Sequence, residues 1–268
     1  MWQKLLYKTS PTLVKKYRKI EYELISKLIA KYDSSVTFLN YGYAGNGYTK
    51  SNFKLDKENE KDRYSIQMYH YVTSSTNIKD RTVLEVGSGR GGGAYYLVRK
   101  FSPKSYTGID IAHNAIRFCK NKYPNGVLKF EQGDAENLTF SNESFDVVLN
   151  VETSHCYPNG NKFFSEVNRI LKKGGHFLIA DLRPKNKVAK WKAQIENAGL
   201  KIINEEDMSK NVYKSLIKDN RRKKNILNKL PKAIQKPFAG FAGVEGTGLY
   251  KDIKKGDYKY FMLVCTKN

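Results

Sequence analysis

The sequence contains only three cysteines, Cys119, Cys156 and Cys265, which lie far apart in a chain of 268 residues. A scattered, odd-numbered set argues against a disulfide framework and against a zinc site, so we expect neither disulfides nor a bound metal. No apolar run approaches the roughly 20 residues that span a bilayer. The N-terminus also lacks the long uncharged segment and the cleavage site of a signal peptide. These absences predict a cytoplasmic chain.

Acidic residues are few relative to basic ones: 26 Asp and Glu stand against 48 Lys and Arg, a formal net charge of +22. Such an excess is compatible with nucleic-acid binding, with attraction to an anionic membrane or with a lysine-rich composition alone. It is concentrated between Lys210 and Lys236, where ten basic residues accompany one acidic residue, Asp219. A peripheral contact between this segment and an anionic membrane is therefore one hypothesis.

Blocks typical of strands alternate with blocks of helical periodicity from residue 82 onward, which indicates an α/β chain with a mainly parallel sheet. The predicted strands cover residues 82–87, 105–110, 128–132, 145–151, 176–181, 200–203 and 258–266. We divide the chain into a helical lead and lid (1–75), a cofactor-binding core (76–204), a helical substrate-side insertion (205–250) and the final strand (251–268).

The lead and the insertion carry helical patterns of their own. In the lead, an amphipathic helix is predicted from Leu13, Tyr17, Ile20, Leu24 and Leu28, which recur at three- and four-residue spacings. The insertion is too long for an ordinary loop, and loops of that length usually carry function. It contains a predicted basic amphipathic helix, with an apolar side of Val212, Leu216 and Ile217 and a basic side of Lys210, Lys214, Lys218 and Arg221.

The first predicted strand runs into a glycine-rich turn formed by Gly87, Ser88 and Gly89, and a helix follows. Glycines let the backbone approach a ligand closely, and the helix N-terminus offers unpaired N–H groups. Several nucleotide-binding folds share this spacing. Glu85 discriminates between them, because a carboxylate repels a pyrophosphate but tolerates the ammonium and sulfonium of S-adenosylmethionine. The loop therefore favours a methyltransferase.

Ligands of open α/β sheets lie beyond the carboxyl ends of the strands. Asp110 ends the second strand and is predicted to accept hydrogen bonds from both ribose hydroxyls, with Ile111 beside it. Asp134 and Ala135 follow the third strand and suit an adenine edge, with the carboxylate accepting from the exocyclic amine. Two plainer interpretations stay open: Asp110 caps the next helix, and Asp134 belongs to a polar turn.

The end of the fourth strand is where the reacting methyl group should face the substrate. His155 lies there, and an imidazole titrating near neutrality can take a proton from a hydroxyl, so it is the candidate general base. Asn150, at the end of the same strand, is a further candidate cofactor ligand. Asp181 is expected in the same cleft, either in an ion pair with Arg183 or in contact with substrate.

Three other residues have weaker functional interpretations. Tyr41 either closes over the methionine moiety, where its ring face would favour the sulfonium, or packs against the lead helix. His70 is expected to be a packing residue, although it could project into the pocket. Cys156 is not expected to be a nucleophile, because nothing nearby in the sequence obviously depresses the pKa of its thiol.

The motif around Glu85, Gly87 and Gly89, with Asp110 and residues 133–138, resembles the class I S-adenosylmethionine-dependent methyltransferases. The block 150–158 is similar to the phthiotriol/phenolphthiotriol dimycocerosates methyltransferases, as are residues 180–184, the triple glycine 91–93 and residues 243–247. The resemblance runs from about residue 38 to 267. It implies a Rossmann-like sheet of seven strands with the last one antiparallel, S-adenosylmethionine as cofactor with S-adenosylhomocysteine as product, and O-methylation of a lipid hydroxyl.

Other functions remain open from the sequence. A C-methyltransferase acting on a sterol or isoprenoid would generate a cation and need an aromatic cage, which 19 tyrosines and 13 phenylalanines could supply. A nucleic-acid methyltransferase is disfavoured, because the fourth strand lacks the motifs of base amine and C5 methylation. A protein that binds the cofactor without methyl transfer is a further alternative. The expected partner is a hydrophobic or lipid acceptor, and the oligomeric state is open.

Overall fold

Seven strands form one mixed sheet in the computed structural model, which describes residues 10–123 and 126–268. The strands are β1 (Thr82–Val86), β2 (Ser105–Asp110), β3 (Leu128–Gln132), β4 (Phe145–Val151), β5 (Leu171–Pro184), β6 (Leu200–Asp207) and β7 (Tyr258–Lys267). Their order is β3-β2-β1-β4-β5-β7-β6. The pairs among β1 to β5 are parallel, whereas β7 runs antiparallel to β5 and β6. The predicted seven-stranded sheet with an antiparallel last strand is confirmed.

Nine α-helices of eight or more residues accompany the sheet in the described part of the chain. They are α1 (Pro11–Tyr32), α2 (Arg63–Thr73), α3 (Gly92–Phe101), α4 (His113–Lys122), α5 (Gly160–Ile170), α6 (Val188–Asn197), α7 (Ser209–Asn228), α8 (Lys232–Phe241) and α9 (Gly248–Lys255). None of these described helices is long and apolar enough to cross a membrane.

The sheet is buried on both faces, which explains the continuous apolar runs of its central strands. One face packs against Met68 of α2 and Leu97 of α3. The other face packs against Phe163 of α5 and Ile195 of α6. All four side chains are fully buried. The carboxyl ends of β1, β2 and β4 therefore meet at one edge of a rigid, covered sheet, where the candidate site residues lie.

The lead helix α1 is present, but the predicted apolar stripe faces solvent. Ile20 and Leu24 are 59% and 54% exposed, and Leu13 and Tyr17 lie on the same exposed side. The buried side carries Val14, Ile25, Ser26 and Ile29 instead. The physical reason is that polar residues fix the rotation of the helix, because Lys15 and Glu23 bind the rim of the core. The predicted helix is therefore present, with most of the residues that indicated it on its exposed side.

Helices α7, α8 and α9 all fall in the long segment between β6 and β7. Val212 and Leu216 of α7 are fully buried against the core, as the amphipathic pattern predicts. Ile217 is 49% exposed, because one residue turns the helix by about 100° away from Leu216. The end of α7 lies beside the end of α1, where Lys229 Nζ is 2.7 Å from Asp33 Oδ2.

Candidate active site

The glycine loop ties the ends of β1 and β2 together. The N–H groups of Gly87 and Ser88 donate to the Ile109 carbonyl at 2.8 and 2.9 Å. Gly87 has φ +82°, and a Cβ atom there would lie 2.6 Å from the Thr153 side chain, so no larger residue fits. Gly89 N–H donates to Asp110 Oδ2 at 2.9 Å. The loop and the end of β2 thus form one wall of a cleft.

Asp110 supports the loop and lines the cleft at the same time. Its other carboxylate oxygen accepts from Ala112 N–H at 2.9 Å, just before α4 begins. The N–H groups of the first turn of α4 bind Glu23 instead, so Asp110 does not cap this helix. Each oxygen keeps acceptor capacity for a ligand, because a carboxylate oxygen has two lone pairs. Burial raises the pKa of Asp110 above its usual value, and the backbone N–H groups partly offset this.

Ile111, Asp134 and Ala135 line the same cleft on the side of β3. Asp134 Oδ1 accepts from Glu136 N–H at 2.9 Å, and Asp134 Oδ2 lies 2.9 Å from Lys15 Nζ. Lys15 also reaches Glu136 at 2.6 Å. The polar turn after β3 is therefore held by an ion pair from α1.

Helix α1 covers this cleft through contacts that sequence reasoning missed. The Glu23 carboxylate accepts from the N–H groups of His113 and Asn114 at 2.6 and 2.9 Å, which places a negative charge at the N-terminus of α4. Tyr22 OH lies 3.0 Å from Cys156 Sγ. The space beneath α1 consists of two adjoining cavities of about 70 and 80 Å³, both lined by Tyr22 and Asp110.

The second of these cavities, which we call the reaction chamber, is lined by Ser88, Gly89, Tyr41 and His155. Ser88 Oγ is buried and has no hydrogen-bond partner among the described residues. An unpaired buried hydroxyl is costly unless a ligand satisfies it. The free hydroxyl, the glycine wall and the acceptor oxygens of Asp110 fit a polar nucleoside such as S-adenosylmethionine.

Two predicted cofactor ligands lie outside the cleft. Glu85 is fully buried among the helices behind the loop, where Tyr69 OH and Tyr106 OH each donate to it at 2.8 Å. Burial raises the pKa of Glu85 to about 7, although both tyrosines work against this. Asn150 Nδ2 donates to the Val86 carbonyl at 2.9 Å. Glu85 thus links the end of β1 to Tyr69 and Tyr106, and Asn150 links β4 to β1. Neither side chain lines the two cavities, so direct contact of either residue with the cofactor stays a prediction.

His155 faces the reaction chamber from the short turn after β4. Its Nδ1 lies 2.7 Å from Asp181 Oδ1, and its backbone N–H donates to Asp181 Oδ2 at 2.9 Å. A carboxylate can only accept, so Nδ1 carries the proton and Nε2 is the acceptor of the ring. The Cys156 thiol also hydrogen-bonds to this imidazole. Asp181 is fully buried and also pairs with Arg183 at 3.1 Å, which is the ion pair that the sequence left as one alternative.

The charges around His155 shift several pKa values. Partial burial lowers the pKa of His155, but Cys156 and Asp181 outweigh it and hold that pKa well above its usual value. Burial raises the pKa of Asp181, but His155 and Arg183 outweigh it and hold it well below its usual value. Burial likewise raises the pKa of Cys156, yet His155 brings it below normal. The expectation that nothing near Cys156 depresses its pKa is therefore wrong, since the adjacent imidazole does.

Tyr41 is held in the chamber by a residue that the sequence analysis did not single out. Glu152 has φ +56°, which is unusual for a residue with a side chain, and both of its carboxylate oxygens accept from Tyr41 N–H at 2.9 Å. Tyr260 OH donates to the same carboxylate at 2.9 Å. Burial raises the pKa of Glu152 to about 7. This strained glutamate fixes the segment that carries Tyr41.

His70 does not reach the cleft. Its Nδ1 lies 2.7 Å from Tyr96 OH, and burial lowers the pKa of its imidazole to about 4. It lines a large surface depression, about 790 Å³, together with residues of the segment 51–62. That depression is polar and separate from the glycine loop wall, so its size does not make it the reaction site.

Comparisons with known proteins agree with this architecture. Residues 84–179 match a family model described as a methyltransferase domain. The phthiotriol/phenolphthiotriol dimycocerosates methyltransferase of Mycobacterium leprae (strain TN) is 37% identical over 236 residues, which cover 87% of this chain and 86% of that protein. The fatty-acid O-methyltransferase of Mycolicibacterium smegmatis (strain ATCC 700084 / mc(2)155) is 34% identical over 247 residues, with 90% and 89% covered.

A solved structure, that of the [4+2]-cyclase SpnF, is similar with a TM-score of 0.70 and 18% identity, covering 93% of this chain and 94% of that one. This likeness concerns the fold alone. The sequence relatives cover most of both chains at more than 30% identity. The chain therefore belongs to the class I S-adenosylmethionine-dependent methyltransferases, in the family of the phthiotriol/phenolphthiotriol dimycocerosates methyltransferases.

Proposed function

We propose that this enzyme transfers a methyl group to a hydroxyl oxygen of a lipid or another hydrophobic small molecule. The observation that carries the proposal is that Asp110 and His155, whose ring is held by the buried Asp181, line adjoining cavities beneath one helix. S-adenosylmethionine supplies an activated methyl group when bound. The residues that would hold it are Gly87, Ser88, Gly89, Asp110, Ile111, Asp134, Ala135 and Tyr41.

The protein's own contribution is to orient the acceptor, exclude water and remove a proton. Helix α1 closes the cleft from solvent through Lys15 and Glu23. His155 Nε2 accepts the hydroxyl proton, and Asp181 holds the ring and stabilises the imidazolium that results. Asp181 acts through His155, so it is a positioning residue.

Replacing Asp181 with Asn should move the pH dependence of activity. The pKa of His155 is raised in the wild type, and only the neutral imidazole is a base, so kcat/KM should rise with pH through a pKa above 6.5. Without the carboxylate, the pKa of His155 falls toward its ordinary value, so the acidic limb of the kcat/KM profile moves to lower pH. The plateau of kcat/KM at high pH drops, because the ring is no longer held in place. A pH–rate profile measures this, and an unmoved limb would remove Asp181 from the proton-transfer step.

The relatives' names point to lipid acceptors: one methylates phthiotriol or phenolphthiotriol dimycocerosates and the other a fatty acid. C-methylation is the second candidate, because aromatic rings of Phe38, Tyr41 and Phe241 line the reaction chamber and could face a cation. Incubation with methyl-labelled S-adenosylmethionine and lipid extracts, followed by mass spectrometry, decides between them. The label should be found on oxygen, whereas label on carbon or on no lipid would reject the proposal.

We also infer that the enzyme docks on an anionic membrane, where lipid acceptors reside. The basic side chains of α7 and α8 are largely exposed, and the end of α7 adjoins α1 through Lys229 and Asp33. The exposed stripe of α1 adds apolar side chains, including Ile20 and Leu24, next to the exposed Lys16, Lys19 and Lys27. Apolar and basic side chains on one helix face are typical of interfacial helices.

Binding to vesicles should depend on both kinds of side chain. Replacing Lys214, Lys218 and Arg221 with Gln should weaken binding to phosphatidylglycerol vesicles, at about 1 kcal/mol for each charge removed. Ile20→Ser should weaken it further, whereas Lys201→Gln, an exposed lysine of β6, serves as the control. Co-sedimentation measures this, and equal binding to neutral and anionic vesicles would contradict docking. Stronger binding to RNA in a gel shift would favour nucleic acid instead.

A further inference from the structure

A third cavity lies between the end of α1 and helices α7 and α8. Its wall is predominantly apolar and is formed by Ile29, Leu39, Ile226, Leu227, Phe238 and Phe241. We call it the chain pocket. Two of its charged residues are already neutralised: Asp33 pairs with Lys229 at 2.7 Å, and Arg222 pairs with Asp219 at 2.6 Å and with Asp62 at 2.9 Å. The pocket therefore presents hydrocarbon to anything that enters it.

The chain pocket adjoins the reaction chamber. Phe38, Leu39, Asn40 and Phe241 line both cavities. A molecule whose reactive oxygen lies beside His155 would extend its apolar part past Phe241 and Leu39 into the chain pocket. Each methylene group that leaves water on this path contributes about 0.8 kcal/mol, which favours a long chain.

One cation of the chain pocket lacks a carboxylate partner among the described residues. Lys223 is only 7% exposed, and its Nζ donates to the Ala242 carbonyl at 3.0 Å. In the described part of the chain no carboxylate lies within ion-pair distance of it, since Asp219 is bound to Arg222. Its ammonium stands 5.7 Å from the centre of the Tyr41 ring, which lines the reaction chamber. Burial lowers the pKa of Lys223 to about 8, although Asp219 and Glu152 oppose this.

A buried ammonium without a counterion is costly, and an anionic ligand removes that cost. The Lys223 ammonium has three N–H donors, of which one binds the Ala242 carbonyl, so two remain for a ligand. The nearest titratable neighbour across Tyr41 is Glu152, whose oxygens are already engaged by Tyr41 N–H and Tyr260 OH. The anionic partner that Lys223 lacks within the protein is therefore expected to come from the substrate.

We propose that the chain pocket binds the hydrocarbon chain of the acceptor and that Lys223 binds an acidic group of the same molecule. The acceptor is then a long-chain hydroxy acid, whose hydroxyl faces His155, whose carboxylate pairs with Lys223 and whose alkyl chain lies along Phe241 and Ile226. The assignment rests on the proposed methyl transfer to a lipid hydroxyl and names the class of lipid.

Binding of two matched ligands tests the acidic group. The probes are 3-hydroxypalmitic acid and the diol formed by reducing its carboxyl group, titrated by calorimetry with S-adenosylhomocysteine present. The wild type should bind the acid about tenfold or more tightly than the diol, which is the size of one charge-assisted hydrogen bond. Lys223→Met keeps the apolar stem and should abolish this preference without changing affinity for the diol. Equal affinities in the wild type, or a preference that survives in K223M, would overturn the role of Lys223.

Two isoleucines of α7 test the pocket. Ile226→Trp fills it and should weaken binding of 3-hydroxypalmitic acid at least tenfold, while 3-hydroxyoctanoic acid is affected less. Ile217→Trp is the matched control, because Ile217 lies on the same helix and is 49% exposed. Phe238→Ala removes part of the pocket wall and should also weaken binding of 3-hydroxypalmitic acid. This second variant keeps the test valid if the Trp variant does not fold. Unchanged chain-length dependence in both variants would overturn the chain pocket.

These measurements need no turnover, so they separate this inference from the proposed function. Binding that follows the expected pattern without any methylated product would reject the proposed reaction and leave the pocket intact. Conversely, methylated lipid that forms independently of chain length and of the acidic group would support the proposed reaction and reject the roles of the chain pocket and Lys223.

Discussion

Replacing His155 with Ala should lower kcat by about 10²–10⁴ and leave affinity for S-adenosylhomocysteine unchanged. The imidazole is held by Asp181 at 2.7 Å and lines the reaction chamber, so its loss should remove the proposed proton acceptor without disturbing the glycine loop. Steady-state kinetics with a lipid acceptor and calorimetry with the product nucleoside measure the two quantities separately.

Two other histidines serve as controls for this variant. His113→Ala should be neutral, because its side chain is exposed at the start of α4 and only its backbone N–H binds Glu23. His70→Ala tests the other candidate base, whose Nδ1 is engaged by Tyr96 outside the cleft. If the acidic limb of the pH–rate profile persists in the His155 variant but disappears in the His70 variant, the proton acceptor is His70 and not His155.

Replacing Asp110 with Ala should weaken cofactor binding by about two to four decades. The carboxylate is expected to accept two charge-assisted hydrogen bonds from the ribose, which contribute about 1.5–3 kcal/mol each when the donor or acceptor is ionised. The substitution also removes the acceptor for Gly89 N–H and Ala112 N–H, so the loop loses its anchor on β2.

Calorimetric titration with S-adenosylhomocysteine measures the effect of the Asp110 substitution. Asp257→Ala, at an exposed aspartate before β7, is the matched control and should bind like the wild type. Undiminished affinity in a folded Asp110→Ala protein would mean that the cofactor binds elsewhere.

The fold and one wall of the site were predictable because they follow from local patterns. Alternation of apolar blocks indicates the parallel sheet, and the strand-end rule then brings Asp110, Asp134 and His155 to one edge without any knowledge of packing. The spacing of Gly87 and Gly89 gives the loop. These inferences need only periodicity and the order of elements along the chain.

The residues that close the site could not be predicted in the same way. Lys15 and Asp134 are 119 residues apart, and no local pattern pairs them. The apolar stripe of α1 does not reveal which side of the helix is buried, because the Lys15 ion pair and the hydrogen bonds that Glu23 accepts from the start of α4 help to fix how the helix is rotated. Glu152 has a strained backbone, with a φ of +56°, as functional positions often do, but nothing in the sequence indicates that this residue adopts such a φ.

Glu85 illustrates a different limit. Its distance from the glycines correctly favoured this class of protein, yet the side chain is directed into the helices and binds Tyr69 and Tyr106. The motif therefore identified the loop, while the role of its acidic residue depends on which side of the sheet the residue faces. Periodicity alone does not decide this for a strand that is buried on both faces.

A crystal structure of the protein with S-adenosylhomocysteine tests the central claim most directly, namely that cofactor and base share the cleft beneath α1. We expect the ribose within hydrogen-bonding distance of Asp110, the sulfur directed toward the chamber lined by His155, and Lys15 moved away from Asp134. Nucleoside density in the polar depression beside His70, with the Lys15–Asp134 ion pair intact and the cleft unfilled, would contradict it.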